Sequence, residues 1–469
     1  MDSTDRIQIK TPYEDIMDPK KLFLKTSPLR LFFLTALPGA ISMLASAMYG
    51  IFDGVFVGNI VGDTAFAAIN LAFPFVILNY ALSDLIAVGS AVPISIALGK
   101  KEDQRANHIF SAAVIMILVT GLAMGLFLYA ASPLFMRLLG AEGELASLAV
   151  SYVRVYACFS PLTTMTFAVD NYLRISGKIK YSMFLNIGMS LGTIALEFVF
   201  LFYLKLGIVG AALAGCLSMV AMVIIAMTPF LMRKFQLKFT RPTFSKALVG
   251  QIISCGSPAF LSNIAGRITS IVMNAALLST GGESAVSIWG ILMYVGETIQ
   301  PIVYGMCDSL SPAIGYNYGA GYYRRVKTLT RYIYTASAVI SIAAALLMLL
   351  IPDVLISLFT KNQDPSFLRE ATLALRIYAL SRFAVWFSFA TQIYMTAVDK
   401  PLFATVISLA SSLVIPVALV FLLSSQGLTG LWLNPTLTAF TTSLLALVLL
   451  MRFQKKMPKE DKPLPSQSE

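Results

Sequence analysis

Two apolar stretches of the chain carry the same pattern of polar residues. Ser42, Ser46, Tyr49 and Asp53 are spaced i, i+4, i+7, i+11, and Asn186, Ser190, Thr193 and Glu197 repeat that spacing. On a helix such a set forms one polar stripe on an otherwise apolar rod. A carboxylate in a bilayer costs roughly 2.5–3.5 kcal/mol or more, so it turns toward a cavity or a partner. Two such carboxylates brought together titrate as a coupled pair. Asp53 and Glu197 are therefore a candidate site for a proton or a monovalent cation, the plain alternative being a structural hydrogen-bonded pair. Thr193 lies beside Glu197 on its stripe. A third stripe, Tyr152, Tyr156, Ser160 and Thr163, offers hydroxyls to the same network or serves as interface aromatics.

Other charged residues fall inside apolar stretches. Asp84 and Asp308 stand alone, and Glu297 opens the Glu297-Thr298-Ile299-Gln300-Pro301 kink; all three are candidate cavity residues. Arg267 and Arg382 lie deep without an acidic counterpart and are candidates for shaping substrate choice. Arg154 and Arg376 sit near span ends, where long side chains anchor by snorkelling. Asp170 and Arg174 have the i, i+4 spacing of a local ion pair. The four Cys lie within apolar segments and read as packing residues.

Composition supplies the elements that position these groups. The 469 residues are 57% hydrophobic and only 13% charged, about half the charged share of a soluble chain. A span needs about 20 apolar residues. Long apolar runs occur near 31–59, 65–98, 107–132, 146–174, 181–204, 208–232, 247–278, 284–316, 329–356, 368–396, 402–424 and 428–453. These predict an all-α polytopic membrane protein with twelve transmembrane helices. Residues 1–30 show no secretory signal and read as a cytoplasmic tail, as do residues 454–469. With both termini inside, the inner loops and tails hold 27 Lys and Arg and the outer loops four, a bias that sets orientation. The net charge of +11 then meets anionic headgroups, and no nucleic-acid partner is needed.

The chain also matches itself at an offset of about 220. Pro38 falls on Pro258, Gly99 on Gly319 and Arg105 on Arg325, while Arg154-Val155-Tyr156-Ala157 matches Arg376-Ile377-Tyr378-Ala379 at 222. Two parallel six-helix lobes follow, residues 31–232 and 247–453, joined by a cytoplasmic loop at 233–246. Facing bundles of this kind imply a central cavity and alternating access.

The landmarks Leu37-Pro38-Gly39-Ala40-Ile41-Ser42, Tyr49-Gly50-Ile51-Phe52-Asp53, Ala67-Ala68-Ile69-Asn70 and Pro312-Ala313-Ile314-Gly315-Tyr316-Asn317-Tyr318-Gly319 resemble the multidrug and toxic compound extrusion (MATE) family, in its bacterial multidrug-pump branch, over roughly residues 25–450. The resemblance implies a V-shaped pair of lobes and export of amphipathic organic cations in exchange for H⁺ or Na⁺. It places the coupling acid at Asp53, with partners on span five. There the family's usual Asn and Asp are replaced by Thr193 and Glu197, which puts the identity of the ion in question. The span-seven carboxylate of a sodium-linked branch has no match in Ala265-Gly266-Arg267.

A transporter, not an enzyme, is expected. The sequence holds no Walker lysine motif, paired His, nucleophile elbow or acidic metal cluster. No cofactor beyond the coupling ion is called for; the expected setting is a monomer in the plasma membrane. Arg267 and Arg382 keep a second reading open: export or flipping of an anionic or lipid-linked metabolite.

Overall fold

The computed structural model describes residues 19–360, 364–458 and 460–463, except the side chains of residues 49–59, 63 and 297. Asp53, Tyr49 and Glu297 thus lie outside the described side chains, and most of both tails lies outside the described residues.

The described chain is helical, without a strand. The N-terminal half comprises α1 (Pro28–Ile60), α2 (Asp63–Gly99), α3 (Asp103–Leu138), α4 (Gly143–Thr163) continued by α5 (Met165–Ile175), α6 (Ile179–Phe198) and α7 (Gly207–Leu231). The C-terminal half comprises α8 (Lys246–Gly319), α9 (Tyr323–Leu350), the short α10 (Pro352–Ser357), α11 (Pro365–Ala397), α12 (Pro401–Leu409), α13 (Ile415–Leu423) and α14 (Gly427–Lys456). Ten continuous helical stretches among the described residues are long and apolar enough to cross a bilayer. Two of them hold two crossings each, giving twelve. One is α8, whose 74 residues would reach about 110 Å if straight. It turns back at Gly282, where φ is 65° and ψ −161°, a conformation that only glycine adopts without strain. The other doubled stretch runs from α12 to α14. The ninth span, read to residue 356, ends at Leu350, because Pro352 starts a new helix.

Both ends of the chain grip the turn between α8 and α9. Arg325 donates from Nη2 to the carbonyls of Phe23 (3.0 Å) and Thr26 (2.6 Å). The Lys462 amide donates to the Gly321 carbonyl at 3.0 Å. The first and last described segments, residues 19–26 and 460–463, therefore share one face of the molecule, here the terminal face. The 233–246 connection crosses it, pinned to α3. There the Lys238 and Thr240 amides donate to Asn107 Oδ1 (2.8 Å) and Ser111 Oγ (2.9 Å). His108 Nδ1 meets the Arg241 carbonyl at 2.9 Å, so the one His in the sequence fastens a loop.

At the terminal face one apolar core runs through both halves, from Leu31, Ile94 and Phe110 to Ile314, Leu329 and Phe453. At the opposite face there are two cores. One is built on Leu128, Val153 and Cys216, the other on Leu277, Leu375 and Trp432. The lobes thus join at one face and part at the other, the V shape expected of two bundles around a cavity.

The joint is made by glycines. A Cβ on Gly39 of α1 would overlap the Gly305 carbonyl and Ser309 Oγ of α8. A Cβ on Gly256 of α8 would overlap the Leu85 carbonyl of α2. Gly99 meets the Tyr316 carbonyl and Gly319 meets the Ile96 carbonyl, two contacts that the offset of 220 exchanges.

Candidate functional site

Helix α6 turns its polar stripe into the N-terminal lobe. Asn186, Ser190, Thr193 and Glu197 are all buried, and Glu197 has no exposure at all. Thr193 Oγ1 donates to the Met189 carbonyl at 2.9 Å, so its proton is already committed. A π-helical turn, Val199–Tyr203, follows Glu197 at once. Such turns widen a helix and recur at functional sites. The Asp53 side chain is outside the described residues, but its helix packs along α6. Asp53 is seven residues from the end of α1, and Glu197 six from the end of that π turn. At 1.5 Å per residue both lie about 10 Å below the same face of the lobe.

Tyr152 and Tyr156 of α4 are buried, with ring centroids 5.1 Å apart, and neither they nor Glu197 stand free. The Tyr156 hydroxyl abuts Gly215 of α7, so this side chain is wedged in the lobe and not at a lipid interface. Ser160, from the same stripe, donates to Asn79 Oδ1 (3.0 Å) and the Gly121 carbonyl (2.7 Å).

Asn186 points the other way along the stripe. With Ser182 it donates to Asp170, Asn186 at 2.8 Å, and Asp170 also pairs with Arg174 at 2.6 Å. The i, i+4 pair is thus part of a knot joining α5 to α6, with Arg174 only 3% exposed. Spacing along α5 could reveal the pair; the two donors from α6 required the fold.

The isolated acids approach one another across the lobe boundary. Asp84 of α2 and Asp308 of α8 are half-buried and within electrostatic reach of each other, and Asp308 also feels the Asp170–Arg174 pair. Asp308 lines a cavity of about 20 Å³ with Asn171 and Ser95, large enough for one water. Glu297 lies on α8, one turn before Gln300; its side chain is outside the described residues.

The two deep arginines part company. Arg267 is exposed and lines a cleft of about 590 Å³ between α2 and α8, opposite Asn70, Phe73 and Pro74. Arg382 does not face that cleft. It turns into a pocket of about 290 Å³ inside the C-terminal lobe. Its Nη1 donates to Gln300 Oε1 (3.1 Å) and its Nη2 to the Tyr378 hydroxyl (2.7 Å). Its partners are thus an amide and a phenol. Arg154 also departs from expectation: its guanidinium stacks 4.9 Å over the Tyr129 ring and its Nε is buried. Arg376, its repeat mate, is exposed. All four Cys are free thiols, Cys158 exposed and the rest buried. Among the described residues no group of His, Cys, Asp or Glu is arranged to hold a metal ion.

Comparison with known proteins agrees with this architecture. The chain is 27% identical over 402 residues to "Multidrug export protein MepA" of Staphylococcus aureus (strain MSSA476), covering 84% of this chain and 87% of that protein. It is 27% identical over 429 residues to the protein of the same name from Staphylococcus haemolyticus (strain JCSC1435), covering 90% and 93%. Among solved structures, a MOP superfamily transporter from Pyrococcus furiosus Vc1 (DSM3638) superposes with a TM-score of 0.85 at 22% identity, over 94% of this chain and 97% of that one. An outward-facing multidrug resistance MATE family transporter gives the same score, identity and coverage. The MatE family model matches residues 38–199 and 258–422. The two matches start 220 residues apart, at the offset of the internal repeat, and take in more than two thirds of the sequence. The chain is a membrane-spanning protein that belongs to the MatE family.

Proposed function

We propose that this protein exports amphipathic organic cations by alternating access, in exchange for H⁺ or, less favourably, Na⁺. One observation carries the reading: an acid with no exposure, Glu197, on a helix packed along the helix that bears Asp53. The names of the relatives, multidrug export proteins, support the direction and the substrate breadth. The excess of Lys and Arg supports a cytoplasmic terminal face in the plasma membrane. In that orientation the closed joint is cytoplasmic and the lobes part outward. The lobe boundaries are those of the repeat, residues 31–232 and 247–453, and the working unit is a monomer.

A carrier needs a group that binds its ion differently in its two states, since only differential binding shifts a conformational equilibrium. Asp53 and Glu197, with Thr193 and a Tyr of α4, fill that role. From outside they take up a cation, which cancels buried charge and lets the lobe repack; the drug leaves and the cation escapes inward on reset. Protons suit the site better than sodium, because Thr193 reaches less far than the family's usual Asn. Inverted vesicles energised separately with a proton or a sodium gradient should accumulate a fluorescent organic cation, and more strongly with protons. Accumulation with neither gradient would reject coupling. Arg267 in the inter-lobe cleft favours a second reading, an anionic or lipid-linked cargo, for which the same vesicles would ignore the cation.

A further inference from the structure

The pocket around Arg382 is walled by C-lobe residues alone, among them Met273, Trp289, Tyr378, Ser412 and Thr438. The repeat gives it a counterpart. Offsets of 220 and 222 set Met273 at the position of Asp53, Val417 at that of Glu197, Tyr378 at that of Tyr156 and Arg382 at that of Ser160. The C-lobe thus repeats the proposed coupling site with both acids exchanged for apolar side chains and a hydroxyl exchanged for a guanidinium.

That guanidinium is fixed but not saturated. Besides its bonds to Gln300 and Tyr378, it lies 4.7 Å over the Tyr378 ring. Its Nε is buried without a hydrogen-bond partner, and guanidinium carries five N–H donors in all. Among the described residues no acid lines the pocket. Three neighbouring donors are committed to main-chain carbonyls. Ser381 donates to Tyr378 (2.6 Å), Ser388 to Val385 (3.0 Å) and Asn434 to Pro416 (2.8 Å). The π-helical turn Ala410–Val414 brings Ser412 to the wall, where its carbonyl accepts from Thr269 at 2.5 Å. Counting the described side chains, the pocket offers one net positive charge with donors to spare, in surroundings where an unpaired charge is costly. Met273, Trp289, Met293 and Pro435 also line it, a surface for an apolar or aromatic body. The volume of about 290 Å³ is at the small end of organic-ligand sites.

We propose that this pocket binds a small amphipathic organic monoanion of the carboxylate class, its charged group on Arg382 and its body against Trp289 and Met273. The site is separate from the cation path through the N-lobe acids and goes beyond it. It gives one transporter two sites of opposite charge preference.

The test uses the full chain purified in detergent, titrated with dansylglycine and with its uncharged amide, dansylglycinamide, and read by energy transfer from tryptophan. Wild type should bind the carboxylate about tenfold or more tightly than the amide, the scale of a charge-assisted hydrogen bond. Arg382→Gln should erase that preference and Arg382→Lys restore part of it. Met273→Glu, which keeps Arg382 but returns an acid to the pocket, should erase it independently. Asp53→Asn should keep it, separating this site from the coupling site. Equal binding of carboxylate and amide by wild type would overturn the proposal. So would a preference that survives Arg382→Gln or Met273→Glu, or one that is lost in Asp53→Asn.

Discussion

Asp170 accepts from Arg174, Ser182 and Asn186, so its charge is satisfied three times over. Removing one partner of a buried pair leaves the other charge uncompensated, at a cost of about 3–5 kcal/mol. Arg174→Leu should therefore lower the thermal unfolding midpoint in detergent by many degrees, while Arg376→Gln, at an exposed position, changes it little. Equal midpoints for the two variants would mean that the knot joining α5 to α6 is not structural. Arg382 stands in contrast, with a phenol and an amide for partners and a buried Nε left over. The i, i+4 spacing reveals the pair of Asp170 and Arg174, but only the fold brings Asn186 to Asp170 and Gln300 to Arg382.

At the scale of elements, small residues decide how closely helices approach. Gly99 and Gly319 were visible as landmarks that recur at one offset, but not as a pair of contacts that the repeat exchanges across the lobe boundary. Sequence periodicity reports which face of a helix is buried, not what covers it. The stripe on α6 was legible for that reason, since i, i+4 spacing alone puts Asn186, Ser190, Thr193 and Glu197 on one face. The π-helical turns after Glu197 and at Ser412 were not, because an extra residue per turn leaves no mark on composition. The glycine joint makes its own prediction. Gly39→Val drives a branched side chain into the Gly305 carbonyl and should prop the lobes apart at the terminal face. Spin labels on the exposed Lys180 and Lys455 should then report distances several ångströms longer than in the parent. Gly290→Ala, where a Cβ meets open space, should leave them unchanged. An unchanged Gly39→Val distribution would mean that the joint tolerates separation elsewhere.

At the scale of the whole molecule, the twelve crossings and the repeat were legible because a bilayer imposes length and apolarity on every span. The partition of one core at the terminal face and two at the other depends on which way the lobes lean, and no local pattern encodes that. The lean also gives the coupling acids their proposed role: they sit where the lobes part, about 10 Å below the open face, while the glycine joint closes the other side. Closing one side and opening the other must be tied to ion binding if the cycle is to pump. The measurement that tests this most directly is accumulation of a fluorescent organic cation in inverted vesicles under a proton gradient, comparing wild type with Asp53→Asn and Glu197→Gln at equal expression. The account predicts that Asp53→Asn abolishes accumulation while still binding the cation, and that Glu197→Gln weakens it less completely. Undiminished accumulation by Asp53→Asn would contradict it and move the coupling site to Asp84 and Asp308.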